Sequence, residues 1–266
     1  MAKVLEICNN PQASPADLNR VISVDPVLMG KVMKLINSAY YGLEQEITSL
    51  VRAIIMLGIN TVKNLALSTA VLGSIGKSES KALNMEGFWR HSLCVGVTSK
   101  LIAKKRNVDK KELEEFFIAG LLHDVGKIPL NNRLPDQYVD VLGFSDRDHQ
   151  TLNAVEIEVL GLDHGDAGLM IVENWGLSQQ IRDAVSYHHG VADYSGDHKD
   201  IVYSVTLANY FASESDIGFS GNRYPEPVPD LVADFLGMDI AYLEDELESQ
   251  VNSEIEGARI FLKLSS

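Results

Sequence analysis

The stretch Phe116-Phe117-Ile118-Ala119-Gly120-Leu121-Leu122-His123-Asp124-Val125-Gly126-Lys127 decides how this chain is read. It is an apolar helical run that closes on an imidazole, a carboxylate, a glycine and an ammonium group. Apolar segments rarely end on adjacent ionisable groups unless those groups have partners. In one reading, His123 and Asp124 bond each other or the backbone at a helix end. In the other, they ligate a metal. The dipeptide alone favours the first. The rest of the chain shifts the balance, because five of its seven histidines (His91, His123, His164, His188, His189) fall at helix ends or on a helix face. Histidine is the commonest metal-ligand side chain, and His grouped with Asp is the sequence signature of such a site.

Outward from this stretch, helix punctuation is dense and strand signals are nearly absent. Ser14-Pro15-Ala16-Asp17 is a helix start, with Leu18, Val21 and Ile22 as its apolar face. Asp25-Pro26 restarts the chain as a helix that runs to Asn37-Ser38-Ala39-Tyr40-Tyr41-Gly42, with Gly42 as a left-handed cap. Thr48 caps a helix through Leu57, and Asn60 caps another closed by Gly73. Short helices with tight turns make a compact bundle. The chain begins inside a helical pattern, so residues 1–8 read as a trimmed or fused end. The polar run 76–81 reads as a subdomain boundary, dividing an N-terminal bundle, 1–80, from a second helical unit, 81–266. In the second unit a helix spans 85–105, and Asp109-Lys110-Lys111-Glu112 reads as a capping box for the helix ending at His123-Asp124. A turn is expected at 127–129, and Pro135 opens a short helix. Thr151, Asp163 and Ser178 cap the next three helices. Asp200 opens an apolar helix through Ser213. The loop 218–230 is proline-rich. The last helix, from Ile240 to about Leu264, reads as one long acidic cover on the bundle.

Composition limits the function. The 266 residues are 45% hydrophobic, enough for a real core. A formal charge of −14 repels phosphate backbones, so nucleic acid polymers rank low as partners. The basic patch Lys104-Lys105-Arg106 with Lys110-Lys111 reads as solvated helix ends. Cys8 and Cys94 form no spacing motif and indicate a reducing compartment. There is no signal peptide and no apolar run of membrane-spanning length, so a soluble cytoplasmic protein with no membrane partner is expected.

His188 and His189 end a helix, where the helix dipole alone favours imidazolium; capping and metal binding stand about even there. His91, taken alone, reads as a satisfied core histidine. Jointly the histidines and Asp124 suit zinc, iron(II) or manganese. Two such ions bridged by Asp124 would generate hydroxide and clamp a phosphoryl oxygen, with Lys127 placed to neutralise a phosphate. Nothing resembles a nucleophile elbow, a P-loop or a dinucleotide fold.

From Leu5 to about Phe211 the chain resembles the HDOD family, the HD-related output domains of bacterial signal transduction. The resemblance rests on Ile22-Ser23-Val24-Asp25-Pro26-Val27-Leu28, Leu35-Ile36-Asn37-Ser38-Ala39-Tyr40-Tyr41-Gly42, Ile47-Thr48-Ser49, Arg52-Ala53-Ile54 and Leu57-Gly58. In the second half it rests on Phe88-Trp89-Arg90-His91-Ser92, the His123-Asp124 stretch, residues 158–164, Trp175-Gly176-Leu177 and His188-His189. It implies an all-α protein: an N-terminal helical bundle packed on an HD-type α-helical subdomain. It implies metal ligation by His91, His123 and Asp124, and by His164, His188 and His189, which match histidines of HD-GYP phosphodiesterases. Lys127 matches the lysine that follows their His-Asp pair, which makes Asp124 and Lys127 the candidate catalytic residues. Where the pattern has its last aspartate, this chain has Asn209, a neutral and weaker ligand. No Gly-Tyr-Pro follows His188-His189, and Arg223-Tyr224-Pro225 lies too late to replace it. The resemblance therefore implies a signalling module with a partly retained divalent-metal site, a signalling protein as partner and no robust catalysis. The alternative is a metal-dependent phosphohydrolase or cyclic-dinucleotide phosphodiesterase acting on a phosphorylated small molecule or nucleotide.

Overall fold

A computed structural model describes residues 6–7, 10, 12–38, 40–43, 45–74 and 82–265. Cys8 and the boundary read at 76–81 lie outside the described residues. Ser14 opens helix α1 (Pro15–Ser23), and its hydroxyl accepts from Asp17 N while the Asp17 carboxylate accepts from Ser14 N. Asp25 caps α2 (Pro26–Ile36) by accepting from Val27 N and Leu28 N. Helices α3 (Leu50–Leu57) and α4 (Ile59–Ser74) follow. Leu18, Ile22, Val32, Leu35, Leu50 and Ala53 interlock beneath them.

Three boundaries here differ from the sequence expectation. The cap of α3 is Ser49, whose hydroxyl accepts from Arg52 N, and not Thr48. Asn60 lies inside α4, since Gly58 makes the turn at φ +89 and the helix restarts at once. Helix α2 ends at Ile36, six residues before Gly42. Asn37 explains the early stop: its amide donates to Ile47 O at 2.8 Å and accepts from Ile47 N at 2.7 Å. One side chain thus ties off both ends of the following loop.

The second half is built around α5 (Met85–Lys105), which is buried through most of its length. Helix α6 (Leu113–Leu122) crosses it at Gly96 and Gly120. A Cβ on Gly120 would sit 2.7 Å from Gly96 Cα, so the two backbones touch. This crossing carries the end of α6, His123 and Asp124, up against His91 of α5. The box expected at 109–112 is absent: Glu112 makes no side-chain cap, and Asp109 instead accepts from Lys111 N. The turn expected at 127–129 is helix α7 (Lys127–Arg133). Then come α8 (Pro135–Asp148), α9 (Leu152–Leu160), α10 (His164–Asn174), α11 (Gln179–Tyr187) and α12 (Lys199–Glu214).

After a strap of residues 218–229 and α13 (Asp230–Leu236), the expected long helix is three pieces, α14 (Ile240–Glu246), α15 (Glu248–Ala258) and α16 (Ile260–Ser265). The breaks follow from burial. The chain bends at Leu247 and Arg259 so that Leu247, Val251, Ile255 and Phe261 all reach the core. Helix α15 lies on α5, and α16 returns to α4 and α2. One apolar core runs unbroken from Leu18 to Phe261, and no strand occurs among the described residues.

Tyr40 and Tyr41 fasten the first helices to the second half. The Tyr40 ring lies 5.3 Å from Phe117 and 5.5 Å from Phe261. Lys100 donates to Tyr40 Oη at 2.9 Å and pairs with Glu114, which also accepts from Tyr41 Oη at 3.0 Å. Tyr40→Ala removes the ring and strands part of this network, so it should cost about 2–4 kcal/mol. Urea denaturation measures this; an unchanged midpoint would show that the tyrosine serves something other than packing.

Candidate metal centre

Each functional side chain is placed by a local rule. Asp163 caps α10 in a reciprocal box with Asp166, which makes His164 the first helical residue. Gly126 lets the chain after α6 pass directly over it: a Cβ there would lie 2.0 Å from His164 O. His188 and His189 follow the end of α11, and Asn209 lies on α12. His91, His123, Asp124, His164 and His188 are buried, and His189 nearly so.

The structure brings these residues together in two groups that share Asp124. His164, His188, His189 and Asp124 form one, and His91, His123 and Asp124 the other. In the first group, His164 Nε2 lies 3.1 Å from Asp124 Oδ1, 3.4 Å from His188 Nε2 and 3.0 Å from His189 Nε2. The opposite edges of the rings are fixed. His164 Nδ1 faces Glu156 Oε2 at 2.5 Å, His188 Nδ1 faces Val185 O at 2.8 Å, and His123 Nδ1 faces Gly120 O at 2.7 Å. These partners are oxygens that only accept, so each Nδ1 carries the proton. In the neutral ring, Nε2 is then a bare lone pair. His164 Nε2, His188 Nε2 and Asp124 Oδ1 therefore converge, and His164 joins them as a lone pair once it gives up its second proton. Asp124 Oδ1 and His123 Nε2 make no hydrogen bond among the described residues despite full burial. Ring nitrogens and a carboxylate oxygen gathered at one buried point are the chemistry of a cation site, where an entering ion displaces the His164 proton.

Charge around the centre is unevenly held. Burial opposes ionisation of Asp124, but His123 and Lys127 outweigh it and hold the carboxyl well below its usual range. Burial likewise opposes charge on His164, and Glu156 outweighs it, raising the imidazole to about 9. Burial lowers His91 to about 3 and His188 to about 4, and with His188 and His164 it drives His189 well down.

Lys127 is not free to meet a ligand. It is 1% exposed, donating to Asp124 Oδ2 at 2.7 Å and to Ser220 Oγ at 3.2 Å. Asn209 is likewise engaged, accepting from His91 Nε2 at 2.9 Å.

Glu156 is the functional residue that sequence reading missed. It is fully buried, accepts from His164 through both Nδ1 and the backbone, and accepts from Tyr138 Oη at 2.8 Å. Its signal was present: Leu152, Val155, Glu156 and Val159 share one helical stripe, so the glutamate stands where an apolar residue belongs. Glu226 of the strap, 3.9 Å from His189 Nδ1, had no comparable signal.

An all-α chain that gathers imidazoles and a His-Asp pair from several helices at one buried centre belongs to the His-Asp class of helical proteins. The HDOD domain profile matches residues 1–191, and the chain is a member of that family. An HDOD domain protein of unknown function from Geobacter sulfurreducens has a similar structure, with 26% identity and a TM-score of 0.75, covering 98% of this chain and 91% of that one. A Shewanella amazonensis SB2B protein, provisionally assigned as a phosphohydrolase, shares the fold at 22% identity and a TM-score of 0.74, over 98% and 92% of the two chains. An uncharacterised protein of Treponema pallidum (strain Nichols) is 21% identical over 211 residues, 78% of this chain. The chain spans only 40% of that curated relative's length. No single helix among the described residues is long and apolar enough to cross a membrane.

The metal-free centre has a definite acid response. An unfolded histidine takes up its proton near 6.5, whereas folded His91 waits until about 3 and His188 until about 4. Between those values the unfolded chain binds more protons, so stability falls as pH drops below about 6.5, by roughly 1.4 kcal/mol per pH unit for each proton. His164 runs the other way: its contribution is complete below 6.5 and is lost as pH rises through about 9. Thermal melts in chelator should therefore show a lower Tm near pH 4.5 than near pH 7. A flat profile over that range would contradict the buried neutral histidines.

Proposed function

We propose that this chain is a signalling module that holds a divalent cation at Asp124, His164, His188 and His189, with little or no hydrolytic turnover. The observation that carries this reading is the meeting of imidazole nitrogens at Asp124 Oδ1, with His164 Nε2 at 3.1 Å and His188 Nε2 at 3.6 Å. Mixed imidazole and carboxylate donors suit iron(II), manganese or zinc. Glu156 keeps the proton on His164 Nδ1, which aims Nε2 inward and raises its basicity. When bound, the cation supplies Lewis acidity and an acidified water.

Three features favour regulation over catalysis. The group at His91 has Asn209 in place of the pattern's last aspartate, and Asn209 satisfies His91 without an ion. Lys127 is committed to Asp124 and Ser220 and does not reach outward to a phosphate. No Gly-Tyr-Pro follows His188-His189. We assign residues 1–80 and 81–266 to a bundle and an HD-type unit, place the protein in the cytoplasm, and expect a signalling protein, or a phosphorylated small molecule or nucleotide, as its partner. The intact first group supports the second reading, a metal-dependent phosphohydrolase. Turnover on a generic phosphoester and on a cyclic dinucleotide, in manganese or iron(II), separates the two. The signalling reading expects rates far below about 1 per second, and rates at or above that favour the enzyme.

A further inference from the structure

The strap of residues 218–229 lines two cavities beside the centre. Its first half lines a cavity of about 360 Å³ that opens onto His91, with Ser220, Asn222 and Arg223 on the wall. Its second half lines a much smaller cavity, about 70 Å³, that opens onto His188, His189 and Asn209, with Glu226 on the wall. His91 lines the large cavity and Asn209, which accepts from it, lines the small one. The strap is held in place at both halves. Phe219 N donates to Gly87 O, Ser220 meets Lys127, Asn222 accepts from Leu152 N, and Glu226 accepts from Asn153.

The two mouths differ in size and in charge. Among the described residues, Glu226 is the only charged one lining the small mouth apart from the histidines. The large one carries Arg223 and, opposite in sign, Asp216. Arg223 pairs with Asp146 through Nε at 3.4 Å, but both side chains are about half exposed, so water screens that pair and the terminal guanidinium nitrogens remain available. Lys127 is buried and already engaged. Arg223 is thus, among the described residues, the one permanent cation that an incoming anion meets at either mouth.

We propose that the strap sorts traffic to the centre: the small mouth admits the cation past Glu226, and the large mouth seats a small oxyanion, of the phosphoryl type, against Arg223. This rests on the metal-holding reading above and names what reaches that centre and by which side. A 360 Å³ cavity takes a phosphoryl group with a small organic remainder, whereas 70 Å³ takes an ion and its water. A guanidinium offers an oxyanion paired donors, and a carboxylate at the other mouth repels it.

The test uses manganese(II) and inorganic phosphate as probes on the whole chain, with manganese uptake followed by its EPR signal and phosphate by phosphorus NMR line broadening. Arg223 and Glu226 are surface residues whose replacement leaves the core intact. Arg223→Glu should weaken phosphate binding about tenfold or more, with manganese affinity changed less than about twofold. Glu226→Gln should slow manganese uptake and leave phosphate binding equal or tighter. Wild-type phosphate affinity in Arg223→Glu, or an equal loss in both variants, overturns the inference while leaving the metal reading intact. Failure of the wild type to take up manganese removes both.

Discussion

Asp124→Asn is expected to strip the chain of its cation and to destabilise it in the same stroke. Asp124 belongs to both ligand groups, so neither keeps an anionic donor without it. Its second oxygen neutralises Lys127, which is 1% exposed and has no other carboxylate within ion-pair distance among the described residues. The amide is the same size but carries no charge, leaving an uncompensated ammonium in the core. Breaking a buried pair in this way costs roughly 3–5 kcal/mol. The double variant Asp124→Asn with Lys127→Met separates the two roles, since an apolar side chain of similar length removes the stranded charge. Its stability should return most of the way to the wild type, while its metal content stays near zero. Metal retained by either variant would show that Asp124 is not a ligand.

Asn209→Asp is the complementary change and should add metal. By the resemblance, Asn209 matches the position of the pattern's last aspartate, and it accepts the His91 Nε2 proton. The bland consequence is that His91 is satisfied without an ion. An aspartate at this buried position, 9% exposed, adds a charge that must be neutralised. A cation held between the introduced carboxylate, His91, His123 and Asp124 would do so, and the last three already lie close enough together to share one. Metal content in manganese or iron(II) should rise by up to about one equivalent, and the metal-free variant should melt lower than the wild type. Some gain in phosphoester hydrolysis is expected with it. Equal metal content in the two proteins would show that the His91 group is disabled by something other than the missing carboxylate.

What the sequence revealed follows from how local each signal is. Helix α5 was legible at both ends, 85 and 105, because its caps and its apolar faces are encoded within it. The break of the last helix at Leu247 was not, because only the core that receives Leu247 and Phe261 shows why the chain bends. The early end of α2 was hidden for the same reason: Asn37 stops it by bonding Ile47, ten residues away. At the centre, the histidines and Asp124 stood out by residue type and position. Glu156 stood in an apolar stripe and was legible in principle. The engagement of Lys127 was not, since Ser220 approaches from a strap 93 positions later. Reading Lys127 as placed to neutralise a phosphate followed from its spacing and from the resemblance, and its burial is a tertiary fact.

The central claim is that the Nε2 atoms and Asp124 are arranged to hold a cation. Anomalous diffraction from crystals grown with manganese(II), recorded on either side of the metal edge, tests this most directly. The account predicts one dominant peak per chain among Asp124, His164, His188 and His189, about 2.0–2.3 Å from the nitrogens and oxygen that hold it. It predicts a weak second peak, or none, beside His91 and Asn209. No peak among these residues at saturating manganese would contradict the metal-holding account, and two full peaks would contradict its claim of a partly retained site.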